Sequence, residues 1–215
     1  MQTTQLTPFQ AGFRHQLLNL ASASPHLARA SARFMLPMCG PINGVSETGD
    51  NLPEQLIALN DPGLIAVLLK NGWDPADQAV SGWSGVTHAV DQKAYAALKA
   101  MLDADVHPDT PNGNGMTALM IAARQNDLEA MDLLLKAGAN PNAADRAGWT
   151  AAHWTVHKDR PLTMEVLEKL RRAGANLFTA SFLDGRTCFD LGVRFKDELA
   201  VLRAQLSLVK EEPAC

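Results

Sequence analysis

Apolar residues in this chain recur at helical spacing in short runs. Leu128, Met131, Leu134 and Leu135 stand at i, i+3, i+6 and i+7, which places them on one face of a helix. Before them "ALMIAA", residues 118–123, predicts a shorter apolar helix whose small Ala122 and Ala123 admit a close neighbour. Gln125-Asn126-Asp127 predicts the polar turn between the two. Thr117 offers a hydroxyl to the unpaired N–H groups of the first helix, Gly138 stands where a left-handed residue closes the second, and Asn140-Pro141 bars its continuation. Near the N-terminus, Phe9, Phe13, Leu17 and Leu20 predict one helix. Ser24-Pro25 predicts the N-cap and first turn of a second, bearing Leu27, Ala30, Phe34 and Met35 and ended by Pro37, Gly40 and Pro41.

A long period runs through the rest of the chain. Gly82, Gly115 and Gly148 are each 33 residues apart, as are Gly72, Asp105 and Gly138. In that register "GWSGVTHAV", "GMTALMIAA", "GWTAAHWTV" and "GRTCFDLGV" align from Gly82, Gly115, Gly148 and Gly185, and the turns "GWDP", "DVHP", "GANP" and "GANL" align as well. One such helix pair cannot bury its apolar face alone, so the units must stack on copies of themselves. The period marks units at 50–80, 81–113, 114–146 and 147–183, the fourth with three extra residues around Lys158-Asp159-Arg160-Pro161, and a terminal unit at 184–206 through Leu199, Leu202 and Leu206.

These residues resemble the ankyrin-repeat family, whose 33-residue unit is a β-turn followed by two antiparallel helices with the signature T-P-L-H-x-A. The resemblance covers residues 50 to 206, nearly three quarters of the chain. It implies an all-α fold: an ankyrin-repeat solenoid of helix-turn-helix units with short β-turn tips, preceded by an N-terminal helical cap. The expected organisation is a cap or degenerate repeat at 1–48, an ankyrin domain of about four repeats and a C-terminal cap at 49–206, and a flexible tail at 207–215. The signature proline is replaced by Gly85, Ala118, Ala151 and Cys188, and the signature histidine survives as His153 alone, with Thr87, Met120 and Asp190 in its place elsewhere. These departures imply lower stability rather than another fold.

Composition narrows the function class. With 215 residues and a net charge of -4, the chain has a core of useful size but no basic surface for phosphates, so no nucleic-acid partner is expected. Cys39, Cys188 and Cys215 are too scattered for a disulfide framework and favour a reducing compartment. No apolar run reaches membrane-spanning length and no secretory pattern opens the chain, so no membrane partner and a cytoplasmic location are expected. Residues 1–46 hold Arg14, Arg29 and Arg33 but no acidic side chain. That composition is shared by organellar targeting segments, though the helical spacing favours a structural cap.

The family resemblance implies a binding surface at the β-turn tips and first-helix faces. Carried onto this chain, the residue after each motif glycine is Trp83, Met116, Trp149 or Arg186, a row stepping about 10 Å per unit. Trp and Met are enriched in interface cores. The first-helix ends add Asp91 and Gln92, Arg124 and Gln125, and His157 and Lys158 as a polar flank. His153 and His157 stand four apart, but no glutamate or third ligand accompanies them and His153 is implied to bond within its own turn, so no metal site is expected. Neither a nucleophile elbow nor a phosphate-binding glycine loop is present, and no cofactor is expected. The expectation is a non-enzymatic module, monomeric alone, that binds a folded protein as inhibitor, immunity protein or adaptor. Two alternatives compete with it: an enzyme or enzyme subunit working through His15, His26 and Cys39 of the N-terminal segment, with Cys39 accessible and acidic, and self-association through the tryptophan row.

Overall fold

A computed structural model describes residues 8–39, 51–77, 82–156 and 164–191. The side chains of Phe9 and Phe13, the residues Gly40, Pro41, His157 and Lys158, the extra residues at 158–161, and Leu199, Leu202 and Leu206 lie outside that description. The described elements are helical: α1 (Pro8–Ala23), α2 (Pro25–Met35), α3 (Leu52–Ala58), α4 (Pro62–Lys70), α5 (Gly85–Asp91), α6 (Tyr95–Leu102), α7 (Ala118–Gln125), α8 (Leu128–Lys136), α9 (Ala151–Val156), α10 (Met164–Arg172) and α11 (Cys188–Leu191). None of them is long and apolar enough to cross a membrane.

The helices form two rows. α1, α3, α5, α7, α9 and α11 pack in succession as first helices, and α2, α4, α6 and α8 pack in succession as second helices. Met131 and Leu134 are fully buried with Ala122 and Ala123, while Leu128 and Leu135 pack at the edge of the same core. Bonds one period apart tie the units together: Tyr95 donates to Asp127 at 2.9 Å, Gln125 to Asp91 at 3.0 Å, and Lys169 pairs with Asp132 at 2.6 Å.

The local chemistry repeats with the units. Asp61 and Asp127 cap α4 and α8 with their carboxylates, and Ser84 and Thr117 cap α5 and α7 with their hydroxyls. Asn60, Lys93 and Asn126, each 33 residues apart, adopt the left-handed conformation between the helices of a unit. Gly85 replaces the signature proline because the Trp73 ring occupies the space beside it; a Cβ there would lie 2.7 Å from the indole.

At α6 the cap comes from another unit. Ala94 holds the N-cap position and has no side-chain oxygen. Instead Asn60 Oδ1 accepts the N–H groups of Ala96 and Ala97, at 2.8 and 3.1 Å. Asn60→Ala removes this cap and leaves an alanine at a φ of 53°. The expected cost is about 2 kcal/mol, read as a lowered denaturation midpoint with an unchanged slope.

The N-terminal pair stacks like a repeat, with α1 on α3 and α2 on α4. Arg29 grips Asp61 with two bonds, at 2.8 and 2.6 Å, while Asp61 caps α4 through the N–H groups of Gly63 and Leu64. Two sequence expectations for α2 require correction. Ser24 has an extended N-cap backbone but its side chain caps nothing. The face turned inward is Ala28, Ala32, Met35 and Leu36, whereas Leu27 and Phe34 are 57% and 76% exposed. Alanines four apart let α2 lie close against its neighbours, a fit the bulkier face does not offer.

Candidate protein-binding surface

The surface begins with the turns ahead of the first helices. Each is a short finger closed by a main-chain bond, from Asn112 N–H to the Met116 carbonyl, Asp145 to Trp149 and Ser181 to Arg186, all at 2.9 Å. Asn112 and Asp145 accept the N–H groups inside their own fingers and fix them from within. Neighbouring fingers are joined as well: Gly113 N–H donates to the Gly82 carbonyl at 2.6 Å and Phe182 N–H to the Ala147 carbonyl at 3.0 Å. Arg146 lies over Gly115 and Phe182 over Gly148, so the motif glycines supply both a positive φ and the space into which the next finger settles.

The expected tip row is uneven. Trp83 and Trp149 are half-buried, Met116 is only 6% exposed, and Arg186 is exposed beside Asp184. Met116 therefore does not point from its tip as expected; it belongs to the continuous core. The two tryptophans lie against the first helices at equivalent positions, Trp83 edge-on to His88 at 6.3 Å and Trp149 edge-on to Trp154 at 5.0 Å between centroids. In the unit between them Met116 and Ile121 hold those positions, both buried.

The polar flank divides in the same way. Asp91 and Gln125 bond to one another across two units, while Gln92 is exposed. Arg124 lies over the Trp154 ring at 5.7 Å, and Trp154 Nε1 donates to Asp145 at 3.0 Å. Arg124, Trp154 and Trp149 thus form one contiguous group. Trp154 escaped the sequence reading because it falls outside the motif positions. Phe182 and Leu183, 77% and 78% exposed at the last fingertip, escaped it too. Their signal was legible: Gly148 and Gly185 stand 37 apart rather than 33. Three of the extra residues precede Gly174, and the fourth lengthens this finger.

His153 is buried beneath the surface. Its Nδ1 accepts from Thr150 N–H at 3.1 Å and meets the Thr150 hydroxyl at 2.9 Å, and its Nε2 donates to the Arg186 carbonyl at 3.1 Å. Both ring nitrogens are therefore occupied and neither can ligate a metal. Burial pushes its pKa below the ordinary value, against the bond to Arg186 and the charge of Asp145. Among the described residues no cluster of His, Cys, Asp and Glu has metal-binding geometry.

The thiol chemistry considered for the N-terminal segment finds little support here. Cys39 is wholly buried, and burial raises its pKa against the opposing charge of Arg14. Arg14 itself donates to the Cys39 carbonyl at 2.9 Å. A reactive thiol needs the opposite environment, exposed and electropositive enough to favour the thiolate.

Comparison with known proteins agrees with this geometry. A family profile described as ankyrin repeats in three copies matches residues 55–145 and 86–180. The chain belongs to the ankyrin-repeat family. As an ankyrin array it is a protein-interaction module. It is similar to palmitoyltransferase AKR1 of Lachancea kluyveri, 30% identical over 59% of this chain and 17% of that protein. It is also similar to human neurogenic locus notch homolog protein 4, 41% identical over 40% of this chain and 4% of that protein. With RelA-associated inhibitor of Mus musculus it shares 33% identity over 44% of this chain and 11% of that protein. The chain thus spans less than a fifth of the length of these curated relatives, and the similarity is one of repeats.

Proposed function

We propose that this ankyrin array acts without chemistry of its own, by holding a folded protein against its finger tips and first-helix face as an inhibitor, immunity protein or adaptor. The observation that carries the reading is the contiguous group Trp149, Trp154 and Arg124 beside the exposed tip Phe182-Leu183. Aromatic and Arg side chains so grouped are the usual anchors of protein interfaces. The array works in a reducing, cytoplasmic setting, a reading supported by the free, buried thiols of Cys39 and Cys188. The relative named RelA-associated inhibitor provides precedent for inhibition by a protein containing similar repeats.

Capture from source-cell lysate tests the proposal. Wild type is compared with Trp83→Ala/Trp149→Ala and with Phe182→Ser/Leu183→Ser, each first shown by circular dichroism to be folded. Loss of one specific protein from both variants is the expected result, whereas equal capture by all three proteins moves the binding surface to the N-terminal pair or the opposite face.

A further inference from the structure

The last finger differs from the others in chemistry as well as length. The tip of the finger ahead of α7 carries Gly113 and Asn114, and the next carries Arg146 and Ala147; the last carries Phe182 and Leu183, more than three quarters exposed. The Phe182 ring lies against Gly148, the residue that precedes Trp149 in the chain. From there the surface continues through the Trp149–Trp154 edge contact to Arg124. An exposed pair of large apolar side chains held on a bonded finger, continuous with an aromatic cluster, marks an interaction site rather than scattered surface apolarity.

Its charge points to the occupant. Arg124 on the helix face and Arg146 on the adjoining fingertip have no carboxylate partner among the described residues. The nearby acids are engaged: Asp145 accepts from Ala147, Trp149 and Trp154, and Asp184 bonds Ser181 and Arg186. Asp91 faces the same helix row one unit earlier, where it accepts from Gln125. In a chain of net charge -4, this end of the surface offers two guanidinium groups beside apolar rings.

Resting on the interaction reading above, we infer that the cluster of Phe182, Leu183, Trp149, Trp154, Arg124 and Arg146 recognises an acidic partner segment carrying a large apolar side chain. The apolar group covers the fingertip and the tryptophans, and the carboxylates meet Arg124 and Arg146. Guanidinium groups give carboxylates charge-assisted, geometrically specific bonds. Burial of one apolar anchor supplies most of the affinity, with the charges selecting the partner.

Selection from a displayed random-peptide library tests this on the full chain. Wild type should enrich peptides that pair Asp or Glu with Phe, Leu or Trp by about tenfold over the starting library. Arg124→Glu/Arg146→Glu should shift the enriched charge to Lys and Arg, and Arg146→Glu alone should do so in part even if the double variant folds poorly. Phe182→Ser/Leu183→Ser should lose the apolar enrichment. A wild-type pool without acidic bias, no enrichment, or a bias unchanged by the Arg variants overturns the inference. If the acidic bias is absent while the finger variants still lose the lysate partner, the surface stands and its assigned chemistry falls. Retention of that partner by all finger variants removes the surface itself.

Discussion

Gly148→Ala lowers stability by about 3 kcal/mol, and Gly138→Ala by about half that. Both glycines are left-handed, with φ of 80° and 86°, so both variants bear the conformational cost of an alanine there, about 1 to 2 kcal/mol. Only Gly148 has a neighbour in the way. A Cβ would stand 2.5 Å from the Phe182 backbone nitrogen and ring, and that nitrogen is fixed by its bond to the Ala147 carbonyl. Relief requires the last finger to lift from its neighbour, which breaks that bond. At Gly138 nothing lies within 4 Å. Chemical denaturation of the two variants reads the difference; equal losses would mean that the fingers are not packed against one another as described.

His153→Ala is expected to cost about 3 kcal/mol, since it leaves the Thr150 N–H and hydroxyl and the Arg186 carbonyl without their partner and opens a cavity between two units. The same residue sets a pH dependence. Nδ1 accepts a bond from Thr150 N–H, so protonation there sets two donors against each other. The folded pKa lies below the ordinary 6.5, foremost through burial, and the unfolded chain takes up the proton first. Stability is therefore full above pH 6.5, falls as the pH drops through it, and levels off beneath the folded value. His153→Gln should flatten this limb of a denaturation series. Asp61 acts in a lower window. Its carboxyl is held below 3.8, the Arg29 bond and the α4 N–H groups outweighing burial, so its contribution is present above that pH and lost below it.

Most of the fold was legible because stacking forces the same residues to recur. The 33-residue period, the cap at Thr117 and the left-handed Gly138 follow from local rules and stand in the structure. The inward face of α2 did not follow, because Leu27 and Phe34 look like core residues until the close approach allowed by Ala28 and Ala32 is known. The binding surface was less legible. Motif position identified Trp83 and Trp149 but also Met116, whose equivalent place is turned into the core. Arg146 and Phe182 join the surface through contacts between fingers, and Trp154 through its edge contact with Trp149. A strict repeat alignment cannot show such contacts, although the extra residue between Gly174 and Gly185 marks the finger that makes them.

Hydrogen–deuterium exchange of the array with its captured partner bound tests the central claim most directly. Slowed exchange at residues 146–149 and 181–187, with 82–92 and 118–125 following, and no change along the outer faces of α6, α8 and α10, is the predicted footprint. Protection confined to α2 or to those outer faces would contradict it and place recognition on the other side of the solenoid.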